Sequence, residues 1–233
     1  EEMAAAAREL GYAYIAITDH SKAVTVANGL DEKRMAAHVK KIHAADAAGL
    51  GIRVLAGAEV DILKNGSLDY REDLLAQLDV VVCAVHSYMN LERAAMTERM
   101  LAAIENPYTQ IIAHPTGRLL LRRDAFDFDM EKVLEACAKH GVAMECNAYP
   151  DRLDLKDVYL RMCKERGVKV VISTDAHSTI NLPYMRYGVT MARRGWLEKG
   201  DVLNTLPVEK LLAALRGKPG AKAHKRAASR GRH

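Results

Sequence analysis

The feature that most constrains the fold is a repeated alternation between short apolar runs and longer amphipathic stretches. Each run is rich in β-branched residues and is bounded by Gly, Asp or Pro, as is typical of strands buried on both faces. Six such runs occur, at residues 12–18, 53–62, 79–86, 110–115, 142–149 and 169–177. The alternation predicts an α/β fold with a parallel sheet and right-handed crossovers, either a barrel or a doubly wound sheet.

Helix start and stop residues stand between the apolar runs. Asp31 is a candidate N-cap of a helix that ends at Gly49, and Asp129 is a candidate N-cap of a helix that ends at Gly141. Further helices are predicted at residues 90–105 and 156–166 and after Pro207. The opening segment EEMAAAAREL is composed of helix formers, so we expect the chain to begin within a helix.

Composition and charge exclude several classes of protein. The 233 residues are 49% hydrophobic and 27% charged, which is typical of a globular domain. No apolar run approaches the roughly 18 to 20 residues of a membrane span. The four cysteines form no CxxC pair, which favours a reducing cytoplasm over a disulfide scaffold or a zinc finger. Residues 217–233 hold six Lys or Arg and no acid, so we expect a folded domain over residues 1–216 and a basic disordered tail over 217–233.

Metal-binding types of side chain recur where the apolar runs end. They are His20, Glu59, His86, His114, Asp175 and His177. One histidine at a strand end is more often structural than a ligand, but six such residues at equivalent ends would converge on one rim of a parallel barrel. Nitrogen and carboxylate donors suit Zn²⁺, Mn²⁺ or Fe²⁺. Six ligands exceed the needs of one tetrahedral zinc, so the pattern favours two or three ions.

Five sequence blocks, ITDHS, GAEVDI, VHS, AHPTGR and STDAHS, together resemble the PHP (polymerase and histidinol phosphatase) phosphoesterases. The stretches AHPTGRLLLRRDAFDFD and ECNAYPDRLDL are similar in particular to the C-terminal PHP domain of bacterial and archaeal family X DNA polymerases. The resemblance covers roughly residues 9–216. It implies a distorted, TIM-like (β/α)₇ barrel with a site for up to three divalent metal ions, Zn or Mn and in some cases Fe.

The resemblance also implies roles for individual residues. Glu59 resembles the carboxylate that bridges two ions, and Asp175 resembles a ligand of one of these. His86 and His114 resemble ligands of the second ion that Glu59 bridges. His20 and His177 resemble ligands of a third ion. Glu59, Asp175 and His177 are therefore the residues expected to be catalytic. Two neighbouring acids are candidates for support: Asp19 beside His20, for which an ordinary strand-end cap is an equal alternative, and Asp61 on the strand face of Glu59.

The sequence departs from the family pattern at its beginning. The family pattern starts with an HxH on the first strand, and this chain contains no HxH. We therefore expect the first barrel strand and its ligands to lie upstream of residue 1, so that the chain is a fragment. On that expectation it binds fewer than three ions and has weak or no activity by itself, whereas the full-length protein is active.

The function implied by the resemblance is 3′–5′ exonuclease and DNA end-processing activity. The expected partners are DNA 3′ ends, in primer–template or gapped DNA, and an upstream polymerase domain of the same polypeptide, with no membrane. DNA phosphates would contact four residues for which a solvated loop or a local backbone contact is an equal alternative: Arg118, Arg122, Arg123 and Asn147. Two other functions remain open, a histidinol-phosphatase-like enzyme and a non-catalytic barrel that supports a polymerase.

Overall fold

The computed structural model describes residues 1–216, and the predicted basic tail at 217–233 lies outside the described residues. The strands are β1 Tyr14–His20, β2 Arg53–Asp61, β3 Val80–Ala84, β4 Ile111–Ile112, β5 Ala143–Asn147 and β6 Val170–Ser173. The α-helices are α1 Glu2–Glu9, α2 Glu32–Ala47, α3 Glu72–Leu75, α4 Arg93–Glu105, α5 Met130–His140, α6 Asp157–Glu165, α7 Met185–Arg194 and α8 Val208–Arg216. Short 3₁₀ helices span Thr25–Ala27, Thr179–Tyr184, Lys199–Asp201 and Leu203–Thr205.

The six strands form one sheet in which every pair is parallel and the spatial order follows the chain from β1 to β6. A doubly wound sheet would reverse its order at a switch point, whereas here each strand is added on the same side as the one before. The sheet therefore curls into a half-barrel with helices around it. This architecture confirms the α/β prediction and is compatible with a distorted TIM-like barrel.

The predicted helix caps form as expected. The Asp31 carboxylate accepts a hydrogen bond from the backbone N–H of Arg34 at 2.8 Å, and Asp129 accepts one from Lys132 at 3.2 Å. Gly141 ends α5 in the left-handed conformation, with φ of 65°. The four-residue α3 was not predicted, because a single turn is too short to show helical periodicity. No helix within residues 1–216 is long and apolar enough to cross a membrane.

The two faces of the sheet have different partners, and this difference positions the polar residues. On β2, residues 54, 56, 58 and 60 pack in the core with the apolar face of α2. The alternate residue Leu55 packs instead with Val80, Ile111 and the leucines of α8. Because side chains alternate along a strand, Leu55 shares its face with Glu59 and Asp61. Helix α8 therefore fills the amino-terminal part of the inner face, and the carboxyl-terminal part is left to polar side chains.

Candidate metal centre

The predicted ligands lie at the carboxyl ends of five strands. His20 is the last residue of β1 and pairs in register with Glu59 of β2. Two of the other ligands follow their strands by two residues, His86 after β3 and His114 after β4. Asp175 and His177 follow β6 by two and four residues. The strand-end pattern in the sequence thus corresponds to a single rim of the sheet, as predicted.

Glu59 is the centre of a compact group of three histidines. Its Oε1 lies 2.9 Å from Nε2 of His114 and 3.1 Å from Nε2 of His86, and its Oε2 lies 3.7 Å from Nδ1 of His20. The ring of His86 stands edge-on to both neighbouring rings, with centroids 5.1 Å from His20 and 5.2 Å from His114. Glu59 and His114 are buried, so the group has little access to bulk water.

The unpartnered nitrogens of this group fit a divalent cation. Nδ1 of His20 and Nδ1 of His114 are buried and have no hydrogen-bond partner in the described part of the chain, whereas Nε2 of His86 lies beside Oε1 of Glu59. Buried polar atoms are normally satisfied, and such exceptions in native sites are explained by water or a bound ion. His20, Glu59 and His86 each offer one ligand atom, and these atoms lie within 4.8 Å of one another. Imidazole nitrogen and carboxylate oxygen are the donors that zinc, manganese and iron accept, so this group could hold a metal ion.

The electrostatics of the group keep Glu59 ionised. Burial opposes its charge, but the close contacts of the His114 and His86 rings hold the pKa of Glu59 well below its usual range. Burial also opposes the charged form of His86, but hydrogen bonding to Asp61 and Glu59 raises the pKa of His86 to about 9. For His20, burial dominates and lowers the pKa. The carboxylate is therefore available as an anionic ligand at neutral pH.

Asp61 orients His86. Nδ1 of the His86 ring donates to Oδ1 of Asp61 at 2.9 Å, and the backbone N–H of His86 donates to the same oxygen at 3.2 Å. Because a carboxylate oxygen accepts, this contact places a ring proton on Nδ1 and turns Nε2 toward Glu59. Ser21, which follows β1, fixes the end of β2, since its hydroxyl accepts from the backbone N–H of Asp61 at 2.9 Å. The supporting role considered for Asp61 from its strand position agrees with this geometry.

Of the two roles considered for Asp19, support of His20 does not agree with the geometry. Asp19 and His20 are consecutive on β1, so their side chains point to opposite faces of the sheet. The Asp19 carboxylate lies 2.8 Å from Nε2 of His38 on α2 and does not reach the His20 ring nitrogen that remains unpartnered. Asp19 joins β1 to its covering helix instead.

The β5–β6 side of the rim has a different set of contacts. Asn147 donates from Nδ2 to Oε2 of Glu145 at 3.2 Å and to Oδ2 of Asp175 at 3.1 Å. Nε of Arg152 donates to the same Asp175 oxygen at 3.2 Å. Ser173 donates to Oε1 of Glu145 at 2.7 Å, and burial raises the pKa of Glu145 to about 7. Asp175 is thus held by an amide and a guanidinium.

His177 is the most exposed of the six predicted ligands, with 68% of its side chain accessible. Its Nδ1 donates to the backbone carbonyl of Asp175 at 2.8 Å, which leaves Nε2 free of that contact. Both Asp175 and His177 act electrostatically on the pKa of His20, so the two sides of the rim face a common space.

The backbone of His114 and of Asp175 is left-handed, with φ of 27° and 51°. Such strain in non-glycine residues is concentrated at functional sites.

The predicted arginines have different surroundings. Arg118 donates to the backbone carbonyls of Arg152 and Leu153. Arg122 is exposed and pairs with Asp151 at 2.8 Å. Arg123 donates from Nε to the carbonyl of Gly117 at 2.9 Å.

A cavity of about 330 Å³ adjoins the metal-binding group. Its lining includes two of the histidines, His86 and His114, and two arginines, Arg123 and Arg152. Sequence reasoning missed Arg152, because it lies in a loop with no periodicity and only the folded chain brings it to Asp175. Glu145 was missed for a different reason: within an apolar run a single acid is easily taken for a tolerated exception, although its spacing from Asn147 places both on the inner face.

Comparison with known proteins identifies several relatives. The chain is 43% identical over 215 residues to the DNA polymerase/3′-5′ exonuclease PolX of Bacillus subtilis (strain 168), covering 92% of this chain and 38% of that protein. It is 31% identical over 186 residues to a probable phosphatase of Acetivibrio thermocellus, covering 76% of this chain and 72% of that protein. A probable phosphatase of Thermoanaerobacter sp. (strain X514) is 29% identical over 167 residues, with 66% of this chain and 65% of that protein aligned. No family model matches the sequence.

Proposed function

Because this chain belongs to the PHP family of phosphoesterases, we propose that it is a metal-dependent phosphodiesterase domain that removes nucleotides from DNA 3′ ends. The observation that carries the proposal is the position of Glu59, a buried carboxylate with three imidazoles around it, beside a cavity that two arginines border. Metal-binding donors next to guanidinium groups suit a phosphoester, whose oxygens need both cations and hydrogen-bond donors.

In the proposed site, His20, Glu59 and His86 hold one ion. His114 and Asp175 serve further ions, with His177 as an additional ligand. We propose Zn²⁺ or Mn²⁺, or else Fe²⁺, in up to three positions in the complete domain. A divalent ion bound in this way supplies a Lewis acid that activates water and polarises a phosphoryl oxygen.

The residues of the chain itself bind and orient the substrate. The guanidiniums of Arg123 and Arg152 donate hydrogen bonds to the non-bridging phosphate oxygens in the cavity. Asp61 keeps the His86 ring in one orientation, so its Nε2 continues to face Glu59. His177 donates Nδ1–H to the Asp175 carbonyl, so its Nε2 is the nitrogen that would bind an ion.

DNA is the substrate that we propose because the PolX relative is named a 3′-5′ exonuclease and shares 43% of its aligned residues with this chain. On this proposal a polymerase domain of the same polypeptide supplies the DNA end. The chain aligns with only 38% of the PolX relative, so activity of the whole protein is part of the proposal. We also propose a cytoplasmic location, in agreement with four buried cysteines that form no disulfide.

A small-molecule phosphatase is the second candidate. Two of the relatives described above are named probable phosphatases, and about two thirds or more of each of them aligns with this chain. The same metal-binding group and cavity would suit a phosphomonoester.

The test compares the two substrate classes in one preparation. The protein, in the longest form that its gene encodes, is stripped of metal, reloaded with Mn²⁺ or Zn²⁺, and given a 5′-labelled oligodeoxynucleotide and p-nitrophenyl phosphate. We expect a ladder of products shortened from the 3′ end, and no ladder from Glu59→Gln. Rapid hydrolysis of the monoester with intact DNA would support the phosphatase instead. Failure of the metal-loaded protein to hydrolyse either substrate would contradict both.

A further inference from the structure

A tight hairpin follows β4 and borders the cavity of the metal centre. Its ends are closed by two backbone hydrogen bonds between Leu119 and Arg123, at 2.9 and 2.8 Å. Leu119 and Arg123 also line the cavity that contains His86 and His114. The tip between these ends is Leu120, Leu121 and Arg122. The hairpin is therefore an edge of the site that we propose to be catalytic.

The tip presents an apolar side chain to solvent in a strained backbone conformation. Leu121 is fully exposed, and its φ of 61° lies in the left-handed region that leucine seldom adopts. A glycine or asparagine would relieve the strain, and a polar residue would suit the exposure. Leu120 beside it is also exposed, so the tip is a small apolar patch on a strained backbone at the edge of the cavity, and such patches and strain mark contact surfaces.

The hairpin is held firmly at its base. The backbone N–H of Leu120 donates to the carbonyl of Asp151 at 2.6 Å, and the Arg122 side chain reaches the Asp151 carboxylate at 2.8 Å. Arg123 is bonded to the Gly117 carbonyl. These contacts fix the direction of the tip relative to the cavity, so Leu121 is a preorganised projection and needs little ordering when a ligand binds.

Charge and apolar exposure around the hairpin indicate which ligand it suits. Of the three arginines at residues 118–123, Arg122 pairs with Asp151. Arg118 and Arg123 donate to backbone carbonyls and keep their positive charge, which favours a polyanion. Eight large apolar side chains are exposed within residues 1–216, and five of them lie on segments that follow β1, β3, β4 or β6: Val26, Tyr88, Leu120, Leu121 and Ile180. The rim thus combines cations with apolar tips, and an unpaired nucleic-acid strand combines phosphates with apolar base faces.

We infer that the hairpin Leu119–Arg123 is a base-contacting edge of the site, with Leu121 packed against a nucleobase of a single-stranded nucleic acid whose phosphate lies in the cavity. Apolar side chains that insert beside bases are a known device of nucleic-acid-binding proteins. The inference rests on the proposed function, because it takes the neighbouring cavity to be the phosphoester site. It goes further by assigning the specificity for a strand over a small ester to one exposed side chain.

The experiment separates strand binding from hydrolysis. Leu121→Asn keeps a residue that tolerates the left-handed backbone but removes the apolar surface, and Leu121→Met keeps the apolar surface. Leu10→Asn is the matched control, since Leu10 is also an exposed leucine but lies at the end of α1, before β1. Fluorescence anisotropy in EDTA gives the Kd for a labelled single-stranded oligodeoxynucleotide, and bis(p-nitrophenyl) phosphate with Mn²⁺ reports hydrolysis of a substrate without bases.

We expect Leu121→Asn to raise the Kd for the oligonucleotide roughly tenfold, the effect of losing one buried apolar contact. Leu121→Met and Leu10→Asn should leave the Kd within about twofold, and all variants should hydrolyse the small diester like the unsubstituted protein. An unchanged Kd in Leu121→Asn would overturn the inference, as would an equal increase in Leu10→Asn. So would a loss of small-diester hydrolysis in Leu121→Asn, since the hairpin would then be shaping the cavity.

The remaining outcomes distinguish this inference from the proposed function. Hydrolysis of the small diester without any binding of the oligonucleotide would overturn the inference and leave a phosphoesterase. Oligonucleotide binding that depends on Leu121, without hydrolysis of any phosphoester by the metal-loaded protein, would contradict the proposed function and keep the base contact. A shift in sedimentation coefficient caused by Leu121→Asn would show that the tip contacts a second copy of the chain, which also overturns the inference.

Discussion

The rim of this sheet has two sides that look alike in sequence and differ in structure. Between β1 and β4, Glu59 is surrounded by three imidazoles, and within residues 1–216 Nδ1 of His20 and Nδ1 of His114 are buried without a hydrogen-bond partner. Between β5 and β6, Asp175 is held by Asn147 and Arg152. The first side is therefore a cluster of imidazoles around one carboxylate, whereas the second is a carboxylate that accepts hydrogen bonds from an amide and a guanidinium.

This difference shows that a strand-end histidine or acid acquires its role from its neighbours. Histidines and acids at strand ends occur on both sides of the rim, so the sequence pattern alone predicts metal ligands on both. Among the residues that the structure describes, the first side has buried histidine nitrogens without hydrogen-bond partners, and the second side places Arg152 at the cavity. We expect ion affinity to depend mainly on the first side and substrate binding to depend more on the second.

The largest effect is expected from Glu59→Gln. The amide removes the negative charge at the centre of the three imidazoles, so ion affinity should fall more than about 100-fold, because even outer partners of metal ligands contribute about 10- to 100-fold. Metal titration followed by elemental analysis measures this. Glu105→Gln, at the exposed end of α4, is the control and should bind the ion normally. Normal ion content in Glu59→Gln would remove the basis for treating the first side as the metal centre.

A smaller loss is expected from Asp61→Asn. The amide oxygen can still accept from His86, but it no longer fixes the ring with a charged partner, so ion affinity should fall about 10- to 100-fold. The same titration measures the effect, with thermal unfolding as a check that the buried substitution leaves the fold intact. Asn147→Ala, on the other side of the rim, is the comparison. If Asp61→Asn lowered the ion affinity no more than Asn147→Ala does, the two sides of the rim would contribute equally to ion binding.

Asp175→Asn should separate ion binding from turnover. The ion at His20, Glu59 and His86 should change in affinity by no more than about threefold, because Asp175 acts on His20 only through a Coulomb interaction. Hydrolysis of bis(p-nitrophenyl) phosphate should fall by at least about tenfold, because Asp175 serves a further ion in the proposed site and holds Arg152, which borders the cavity. If Asp175→Asn also lost the ion at His20, Glu59 and His86, Asp175 would belong to the ligands of that same ion.

The smallest effect is expected from Arg122→Ala. This side chain pairs with Asp151 at the surface, and such exposed pairs contribute about 0 to 1 kcal/mol. Unfolding stability and small-diester hydrolysis should therefore be nearly unchanged. Arg123→Ala is the matched comparison one residue away, and it should raise the KM for the diester several-fold because Arg123 borders the cavity. Equal effects in the two variants would argue against a phosphate contact by Arg123.

Much of the fold could be predicted because its signals are local. The apolar runs identify six strands, and the caps at Asp31 and Asp129 identify helix starts to within a residue. The resemblance narrowed the choice between a barrel and a doubly wound sheet, which the apolar pattern alone left open. Strand order settles that choice, and it depends on pairings between distant segments.

The sequence by itself determined which side chains stand at the strand ends, since period-two alternation and the end of an apolar run are properties of neighbouring residues. Only the tertiary structure decided what each of them contacts. Asp61 was visible as a possible support, but its hydrogen bond to His86 spans 25 residues, and the contact of Arg152 with Asp175 spans 23. The physical reason is that hydrogen bonds and electrostatic contacts act over a few ångströms in space, and the folded chain alone sets which residues come within that distance.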